Sequence, residues 1–501
     1  MMAAKKRFIV KGWCRAQCGV GDVRGWGLGN FQGAEIDSGD MMAVGRNEGK
    51  GSRGATGFGL RSILAATFAL SFGALAQSGP ANAQMEWVNK ILGLPTTTSS
   101  FERRPSQGQA QRETQLDDLR HGDEPLRSET MLKSLDLAYG RYKAIAARGG
   151  WPMVPGSKMI RPGDDDERIP AVRKRLFASG ELRDSGFFSG FSFDGELEGA
   201  VRRFQKRHGL AVTGRVDRAT IAAMNVPVAA RLAQIKLNYD RIAGMIDSRN
   251  PTEARYILVN VPGYQLEAVE GGRVVQRHRV IAGRPGRDTP VVKAAVRALN
   301  FFPYWRVPDS IAKLDVAPRL LREPDYLAKE QIRVLSGSFN GPELDASIID
   351  WSRFDATTTK LRQDPGPQNA LGLVRLDMPN EHGVYMHDTP MKPLFGRAQR
   401  AFSAGCVRVQ DVFDLAAWVA KDEPGMSRQR VDEILANGVP VDINLARPVP
   451  VYFVYITAWA DADGHAQFRP DIYGRDGMTE LSGDREHDPD APPPPPPSLA
   501  P

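Results

Sequence analysis

Three consecutive strand-like segments, residues 254–262, 265–269 and 273–281, constrain the fold more than any other feature of the chain. They are rich in β-branched residues, the third alternates apolar and polar positions, and short glycine-containing turns separate them. Strands joined by such short turns pair antiparallel, because a parallel connection needs a crossover of roughly a dozen residues. The sequence therefore predicts an antiparallel sheet or barrel in this part of the chain.

Helical periodicity dominates the sequence before these strands. Residues 129–147, 168–183 and 195–208 each repeat apolar side chains every three or four positions, as Leu197 and Phe204 do in the third segment. Such spacing places the apolar residues on one face of a helix. A helical part followed by a β-rich part predicts the α+β fold class.

Residues 304–370 separate the first group of strands from two more strand-like pieces, residues 374–376 and 384–387. This stretch contains helix-like pieces and several prolines. We therefore expect an inserted subdomain over one end of the sheet. It is either a lid over a binding site or an insertion without a function of its own.

Composition and periodicity indicate a flexible linker at 85–128, a helical scaffold at 129–163, a connecting helix at 227–253, C-terminal strands at 448–476, and a disordered acidic and proline-rich tail at 477–501. A small all-α domain at 164–226 and a mostly β domain of sandwich or barrel type at 254–447 are expected between them, with bounds that follow from two family resemblances given below.

Residues 1–84 have the pattern of an export leader. Basic residues precede an uncharged apolar run at residues 63–76, which is shorter than the ~20 residues that span a bilayer. The small-x-small motif that ends at Ala83 is typical of a cleavage site. We predict a signal peptide at about residues 42–83 and a true start near Met42, upstream of which the sequence has no clear periodicity. A short buried helix is the alternative.

The leader also changes how the net charge and the cysteines are interpreted. The whole chain carries a formal +7, but residues 1–84 hold 10 basic and 5 acidic residues, which leaves +2 for the remainder. A near-neutral exported chain does not predict nucleic acid as a partner. Of the 3 cysteines, only Cys406 lies outside the leader. A lone thiol in an oxidising compartment is either buried and inert or kept for chemistry.

The sequence around Cys406 favours chemistry. A thiol attacks as the thiolate, so it needs a base and small neighbours that admit a carbonyl group. Gly405 provides space, Ser403 provides a hydroxyl group, and His387 is the candidate base if its strand lies beside the cysteine loop. No metal site is predicted, because His382 and His387 have no third ligand at zinc-like spacing.

Two stretches resemble bacterial cell-wall proteins. The pattern Asp194-Gly195-x-Leu197, followed by Phe204-Gln205 and Thr213-Gly214-x-Val216-Asp217, is similar to the small three-helix peptidoglycan-binding domain. The resemblance covers about residues 164–226. It implies a compact helical fold, and either glycan binding or a scaffold role.

The stretch from Gly383 to Val409 resembles the catalytic domain of L,D-transpeptidases, whose signature is a histidine followed by Ser/Thr-His-Gly-Cys. Here 19 residues separate His387 from Cys406. The resemblance implies that Cys406 is the nucleophile, that His387 is the general base and acid, and that Gly405 and Cys406 form the oxyanion hole.

The resemblance extends to the large periplasmic branch of this family, with an inserted lid, over about residues 129–475. It implies that Tyr385, Arg408, Ser403 and Trp305 bind the substrate. It implies neither a cofactor nor a metal. One departure stands out, since Ala404 replaces the histidine that precedes Gly-Cys in the signature, which puts the hydrogen bonding of the loop in question.

The implied activity is cross-linking of peptidoglycan stem peptides in the periplasm. Two alternatives remain open. The acyl-enzyme could pass to water or to a lipoprotein lysine, or the chain could be a non-catalytic scaffold that binds the wall. The expected partners are stem peptides and glycan strands, with other wall-synthesis enzymes as candidates. No stable membrane insertion is expected after signal cleavage.

Overall fold

The computed structural model of the protein describes residues 119–183, 190–246 and 253–478. The predicted export leader, most of the predicted linker and the end of the predicted tail lie outside the described residues. No helix among the described residues is long and apolar enough to cross a membrane.

Within the described residues, five helices precede the first strand. They are α1 (Glu129–Ala147), α2 (Ile169–Ala178), α3 (Gly195–Arg207), α4 (Arg218–Met224) and α5 (Val228–Met245). The sequence explains several of their starts, because Ser128, Asp194 and Asp217 each cap the following helix by accepting a backbone N–H bond. Helix α2 is shorter than predicted and ends at Ala178, just before Gly180, whose φ of +86° lies in the left-handed region.

The strands come next along the chain. They are β1 (Arg255–Asn260), β2 (Gln265–Glu270), β3 (Arg273–Gly283), β4 (Val292–Phe301), β5 (Trp305–Arg306), β6 (Ile332–Ser336), β7 (Thr359–Gln363), β8 (Val374–Asp377), β9 (Met386–His387), β10 (Ala401–Ser403), β11 (Val407–Val409), β12 (Val441–Val454), β13 (Ala458–Ala460) and β14 (Ala466–Phe468). Helices followed by this β-rich region confirm the α+β fold class.

Shorter helices lie between these strands. They are α6 (Asp309–Ile311), a π-helical turn (Ala312–Val316), α7 (Ala317–Leu320), α8 (Tyr326–Lys329), the 3₁₀ turns Ala346–Ile348, Trp351–Arg353 and Lys392–Gly396, and then α9 (Val412–Val419) and α10 (Arg428–Asn437). Helices α9 and α10 contribute Leu415 and Ile434 to the apolar core of the main sheet, so both helices pack against that core.

The main sheet closes on itself. Its nine strands run in the order β10-β3-β11-β9-β8-β4-β12-β1-β2, and β2 also pairs with β3, which completes a ring of eight strands. Val259, Leu299, Met386 and Val451 are fully buried in the cluster that fills it. This closed arrangement is the barrel that the sequence predicts, and closure leaves few free strand edges.

The sheet is not wholly antiparallel, which corrects the prediction from the first three strands. Those three do pair antiparallel, but β1 with β12, β9 with β11 and β3 with β10 pair parallel. The connection from β9 to β11 contains a 3₁₀ turn and a strand, which gives it the length that a parallel crossover needs.

The predicted boundary at residue 447 falls inside a strand. β12 runs from Val441 to Val454 and pairs with β4 on one side and β1 on the other. The first part of the predicted C-terminal segment therefore belongs to the barrel. Tyr452 and Trp459 of this segment pack in a second cluster with Leu135 of α1 and Ile235 of α5, so the helices lie on the outer side of β1 and β12.

The insertion at residues 304–370 has its own core. β5, β7 and β6 form a three-stranded antiparallel sheet, and Trp305, Ile311, Val334 and Leu361 are buried in one cluster with residues of the short helices. Tyr385 and Ala404, which belong to the barrel, pack against the same cluster. The insertion therefore contacts the cysteine loop directly.

Candidate active site

The parallel pairing of β9 and β11 places the strand that contains His387 beside the segment that follows Cys406. Val407 donates its N–H to the Tyr385 carbonyl at 3.0 Å, and Met386 pairs with Val407 in the strand register. Side chains alternate between the two faces of a strand. Cys406 precedes one of these paired residues and His387 follows the other, so both side chains face the same side of the sheet.

The Cys406 thiol is buried, with 6% of the residue exposed. Burial raises the pKa of this thiol to about 12, because the interior disfavours the charged thiolate. Hydrogen bonds from the backbone and side chain of Tyr385 and the charges of Arg408 and Arg375 act in the opposite direction but do not cancel the effect. The resting site therefore holds a neutral thiol, which needs a base before it can attack.

The hydrogen bonding of His387 fixes its tautomer. The ring is fully buried, and its Nδ1 atom lies 2.5 Å from the backbone carbonyl oxygen of Asp388. A carbonyl oxygen only accepts hydrogen bonds, so Nδ1 carries the proton in the neutral ring. The Nε2 atom of the neutral ring then holds the lone pair that a general base requires.

Asp388 contacts His387 through its backbone carbonyl, and its carboxylate is fixed by two other residues. Its carboxylate accepts the Leu373 N–H at 3.0 Å and forms an ion pair with Lys392. Gly372 allows the close approach, since a Cβ atom there would overlap the Asp388 side chain. The sequence shows His387-Asp388-Thr-Pro as a motif but gives no sign that the aspartate anchors a neighbouring strand.

Ser403 organises the cysteine loop rather than facing a substrate. It is fully buried, its hydroxyl donates to the Cys406 carbonyl at 2.5 Å, and the hydroxyl oxygen accepts the Gly405 N–H at 3.1 Å. The role of Gly405 N–H in the oxyanion hole stays a prediction, and in this conformation the hydroxyl of Ser403 accepts that donor. No hydrogen bond from the Cys406 N–H to another described residue is found.

A second network fixes the same loop from the other side. Thr289 is fully buried; its hydroxyl donates to the Gly405 carbonyl at 2.8 Å and accepts the Gly283 N–H at 2.8 Å. The Tyr473 hydroxyl donates to the Gly283 carbonyl at 2.6 Å. Gly283 is required sterically, since a Cβ there would lie 2.8 Å from the Thr289 nitrogen. Sequence analysis missed Thr289, which no motif distinguishes.

Trp305 does not line an open site. Its side chain is 1% exposed and belongs to the core of the insertion. Substrate binding by Trp305 stays a prediction, and the structure places the indole inside the inserted subdomain. Ala404 packs against the same cluster. The space beside Ala404, where the family signature has a histidine, therefore borders apolar side chains of the insertion.

Arg408 and Tyr385 lie on the site face but differ in access. Arg408 pairs directly with His387 in the register and is fully buried, and burial lowers the pKa of its guanidinium to about 10. Its buried side chain does not face a substrate from solvent in this conformation. Tyr385 is half-buried, and its ring lies edge-on to His387 at 5.8 Å between centroids.

Arg375 is a site residue that the sequence did not reveal. It lies on β8 and pairs directly with His387, on the side opposite Arg408. The histidine therefore lies between two arginines in one row across the sheet, with neighbouring strands roughly 4.8 Å apart. The pairing of β8 with β9 is a tertiary feature that local sequence does not encode.

One group of potential metal ligands occurs among the described residues. Asp461, Asp463 and His465 are exposed side chains in the turn between β13 and β14, and His465 Nδ1 lies 3.2 Å from an Asp461 oxygen. These residues belong to other elements than those that carry Cys406 and His387. Exposed acidic turns of this kind need no metal ion to form.

Two regions of the chain match known protein families. Residues 254–443 match the family model described as L,D-transpeptidase catalytic domain, and residues 180–224 match the model described as "Putative peptidoglycan binding domain". A curated protein of Haemophilus influenzae, "Putative L,D-transpeptidase", is 32% identical over 250 residues, which make up 50% of this chain and 49% of that relative. The chain thus spans about half the length of the curated relative.

Two solved structures illustrate how distant the structural matches are. An L,D-transpeptidase from Stackebrandtia nassauensis is 14% identical, covers 60% of this chain and 96% of its own, and has a TM-score of 0.22. A fragment of the L,D-transpeptidase from Xylanimonas cellulosilytica is 16% identical, with coverages of 60% and 99% and a TM-score of 0.19. At these TM-scores the superpositions carry no argument.

Residues 254–443, which contain the closed sheet, Cys406 and His387, match the L,D-transpeptidase catalytic domain. The resemblance of this protein to L,D-transpeptidases is thereby confirmed. The protein joins that domain to helices of the peptidoglycan-binding type.

Proposed function

We propose that this chain is a peptidoglycan L,D-transpeptidase with Cys406 as nucleophile and His387 as general base and acid. The observation that carries the proposal is the parallel pairing of β9 with β11, from which strand alternation predicts that both side chains face the same side of the sheet. The hydrogen bond from His387 Nδ1 to the Asp388 carbonyl supports the role of Nε2 as the base.

The first half-reaction forms an acyl-enzyme. His387 Nε2 takes the proton from Cys406 Sγ, and the sulfur attacks the carbonyl carbon at the L-centre of diaminopimelate in a donor stem tetrapeptide. The S–C bond forms and the amide C–N bond to the terminal D-Ala breaks. The D-Ala nitrogen takes the proton from His387, so D-Ala leaves and a thioester remains.

The second half-reaction transfers the acyl group. The side-chain amine of a second diaminopimelate attacks the thioester carbonyl and passes a proton to His387. The S–C bond breaks and the proton returns to Cys406 Sγ, which regenerates the enzyme. The product is a direct diaminopimelate–diaminopimelate cross-link.

The oxyanion of each tetrahedral intermediate needs N–H donors. We assign the Cys406 N–H to this role, since it donates to no other described residue. Gly405 N–H joins it only if the bond to Ser403 opens when substrate binds. Catalysis with one donor is slower, because removal of one such donor costs about 10²–10³ in rate in enzymes of this mechanistic type.

The family resemblance supports a role at the cell wall, and the pattern of the predicted leader supports export. We propose that the protein acts in the periplasm, that its small helical domain binds glycan strands, and that carbapenems acylate Cys406. Water as the acceptor would make the protein an L,D-carboxypeptidase, and a lysine amine would make it a lipoprotein-attaching transferase. A non-catalytic scaffold would bind the wall without forming a thioester.

The proposed function is tested by incubating the full chain with purified disaccharide tetrapeptides and analysing the products by mass spectrometry. The proposal predicts D-Ala release and a cross-linked dimer. Release of D-Ala with a shortened monomer and no dimer would instead indicate the carboxypeptidase. Absence of D-Ala release and of carbapenem acylation would indicate the scaffold.

Matched variants make this experiment specific to the site. Cys406→Ala and His387→Gln are expected to abolish D-Ala release. His382→Gln is the control for His387, because His382 is an exposed histidine near the same strand, 3.5 Å from Glu381. The control is expected to retain wild-type activity.

A further inference from the structure

We propose that Arg375 binds the carboxylate of the leaving D-Ala residue and so selects donor peptides that end in a free acid. This inference rests on the proposed function, because it names a substrate group for that same site. Arg375 is part of neither the family signature nor the small helical domain.

The position of Arg375 is set by the sheet. It is the direct partner of His387 in the antiparallel pairing of β8 with β9, so the two side chains project from the same face. In the proposed reaction His387 hands its proton to the D-Ala nitrogen. The D-Ala carboxylate is attached to the carbon next to that nitrogen, so it lies within a few ångströms of the imidazole. Arg375 extends from the neighbouring strand, whose backbone is roughly 4.8 Å away, and its side chain is long enough to reach such a carboxylate.

The guanidinium is held in place by neighbours on three sides. Its Nε donates to the Asn300 side-chain oxygen at 3.0 Å, and the Asn300 amide donates in turn to Asp442 at 2.6 Å. One terminal nitrogen lies 3.2 Å from an Asp377 carboxylate oxygen. The guanidinium carbon is 5.4 Å from the ring centre of Tyr385, the residue that hydrogen-bonds to the thiol. These contacts fix the orientation of the Arg375 guanidinium before any ligand binds.

Arg375 is more exposed to solvent than Arg408, the other arginine of the site. Arg375 and Arg408 both lower the pKa of the Cys406 thiol, so both charges lie near the sulfur. Arg408 is fully buried, whereas 30% of the Arg375 side chain is exposed. Of these two arginines, only Arg375 is open to a group that enters from solvent.

A guanidinium is chemically suited to bind the carboxylate of D-Ala. A guanidinium presents two parallel N–H donors to a carboxylate, and such charge-assisted bonds are stronger than neutral ones. The Asp377 contact involves one terminal nitrogen of Arg375. A peptide carboxylate gains charge-assisted hydrogen bonds from the other guanidinium donors, whereas a neutral carboxamide gains much less from them.

The test compares a tetrapeptide ending in D-Ala with the same peptide ending in D-alaninamide. For the full chain, we expect kcat/KM for the free acid to exceed that for the amide by about tenfold or more, the range for a hydrogen-bonded ion pair. Arg375→Gln is expected to reduce this preference to near one, mainly through KM, and Arg375→Lys to keep part of it. An unchanged preference in Arg375→Gln would overturn the proposal.

Arg430→Gln is the matched control, because it removes an arginine that also pairs with a nearby carboxylate, Glu433, at 2.9 Å. It is expected to keep the wild-type preference. Melting temperatures of all variants show whether each one folds.

A binding arm separates this inference from the proposed function. Calorimetric titration of both peptides into Cys406→Ala, with and without Arg375→Gln, needs no turnover. Tighter binding of the free acid that disappears with Arg375→Gln supports the inference even if the wild type releases no D-Ala. Equal affinity for the two peptides in Cys406→Ala, or failure of both to bind, contradicts it even if the wild type is active.

Discussion

The Ser403 hydroxyl donates a hydrogen bond to the Cys406 carbonyl at 2.5 Å, and its oxygen accepts the Gly405 N–H at 3.1 Å. One buried side chain therefore holds the backbone on both sides of the nucleophile. Neither of these bonds involves the side chain at position 404, where Ala404 packs against the insertion.

Ser403→Ala is expected to destabilise the protein and slow acylation of Cys406. It leaves the Gly405 N–H and the Cys406 carbonyl without this partner in a buried loop, which costs about 1–3 kcal/mol of unfolding free energy. Chemical denaturation measures the loss, and the rate of thioester formation reports the effect on the site. Ser352→Ala, at an exposed position within a 3₁₀ turn that Asp350 caps, is the control. Equal unfolding free energies for Ser403→Ala and wild type would contradict the role given to Ser403.

Ala404→His is expected to lower stability without raising the acylation rate. Ala404 packs against the apolar cluster of the insertion, so an imidazole there overfills the contact, at a cost of about 1–3 kcal/mol. His387 already holds the position of the base. Thermal unfolding and the rate of carbapenem acylation check both parts. A faster rate in Ala404→His would show that the missing histidine limits the enzyme.

Alkylation of Cys406 by iodoacetamide is expected to be slow near neutral pH and to accelerate as pH rises toward 10. Burial raises the pKa of the thiol to about 12, so the reactive thiolate is scarce at neutral pH. Peptide mapping measures the label on Cys406, and the protein in denaturant provides the reference rate for an ordinary thiol. Rapid alkylation of folded protein at pH 7 would mean that the resting thiol is already ionised.

Thr289→Val is expected to destabilise the cysteine loop, although Thr289 is far from Cys406 in sequence. It removes the bonds to the Gly405 carbonyl and the Gly283 N–H while preserving the shape of the side chain. The two unpaired backbone groups cost about 1–3 kcal/mol of stability, whereas Thr289→Ser keeps the hydroxyl and is expected to lose less. Denaturation midpoints rank the variants. Equal stability of Thr289→Val and Thr289→Ser would exclude the hydroxyl as the cause.

Glu253 is expected to make stability depend on pH in the acid range. Burial alone would raise the pKa of its carboxyl, but hydrogen bonds from Tyr452 and Arg127 outweigh this and hold the pKa at about 2. A depressed pKa contributes stability above the unfolded value, and this contribution is lost as pH falls toward 2. Wild type is therefore expected to exceed Glu253→Gln in unfolding free energy at pH 7, with the difference shrinking below pH 4.5. A difference that is constant with pH would exclude this linkage.

Local sequence predicted the parts of the fold that local forces determine. The first three strands and helix α1 follow from side-chain periodicity and short turns, and they occur where that periodicity places them. Parallel pairing was not predictable, because β9 and β11 meet only after an intervening 3₁₀ turn and strand. The same holds for β12, whose continuation past residue 447 depends on partners far away in the chain.

The candidate site divides in the same way. The motif around Cys406 and His387 identified two residues that the fold brings to one face. Arg375 reaches the site through the pairing of β8 with β9, and Thr289 reaches the cysteine loop through hydrogen bonds from the loop between β3 and β4. Asp388 is next to His387 in sequence, but its bond to the Leu373 N–H joins distant parts of the chain, and no local pattern encodes any of these contacts. The hydrogen bond between Gly405 and Ser403 was missed for a different reason, since a nearby hydroxyl competes for a backbone donor only in a particular loop geometry.

The most direct test of the account is the intact mass of the protein after acid quenching during its reaction with a disaccharide tetrapeptide. We predict an added mass equal to the donor minus D-Ala, located on Cys406 by peptide mapping and absent from Cys406→Ala. D-Ala release without any adduct on Cys406, or an adduct on another residue, would contradict the assignment of Cys406 as the nucleophile.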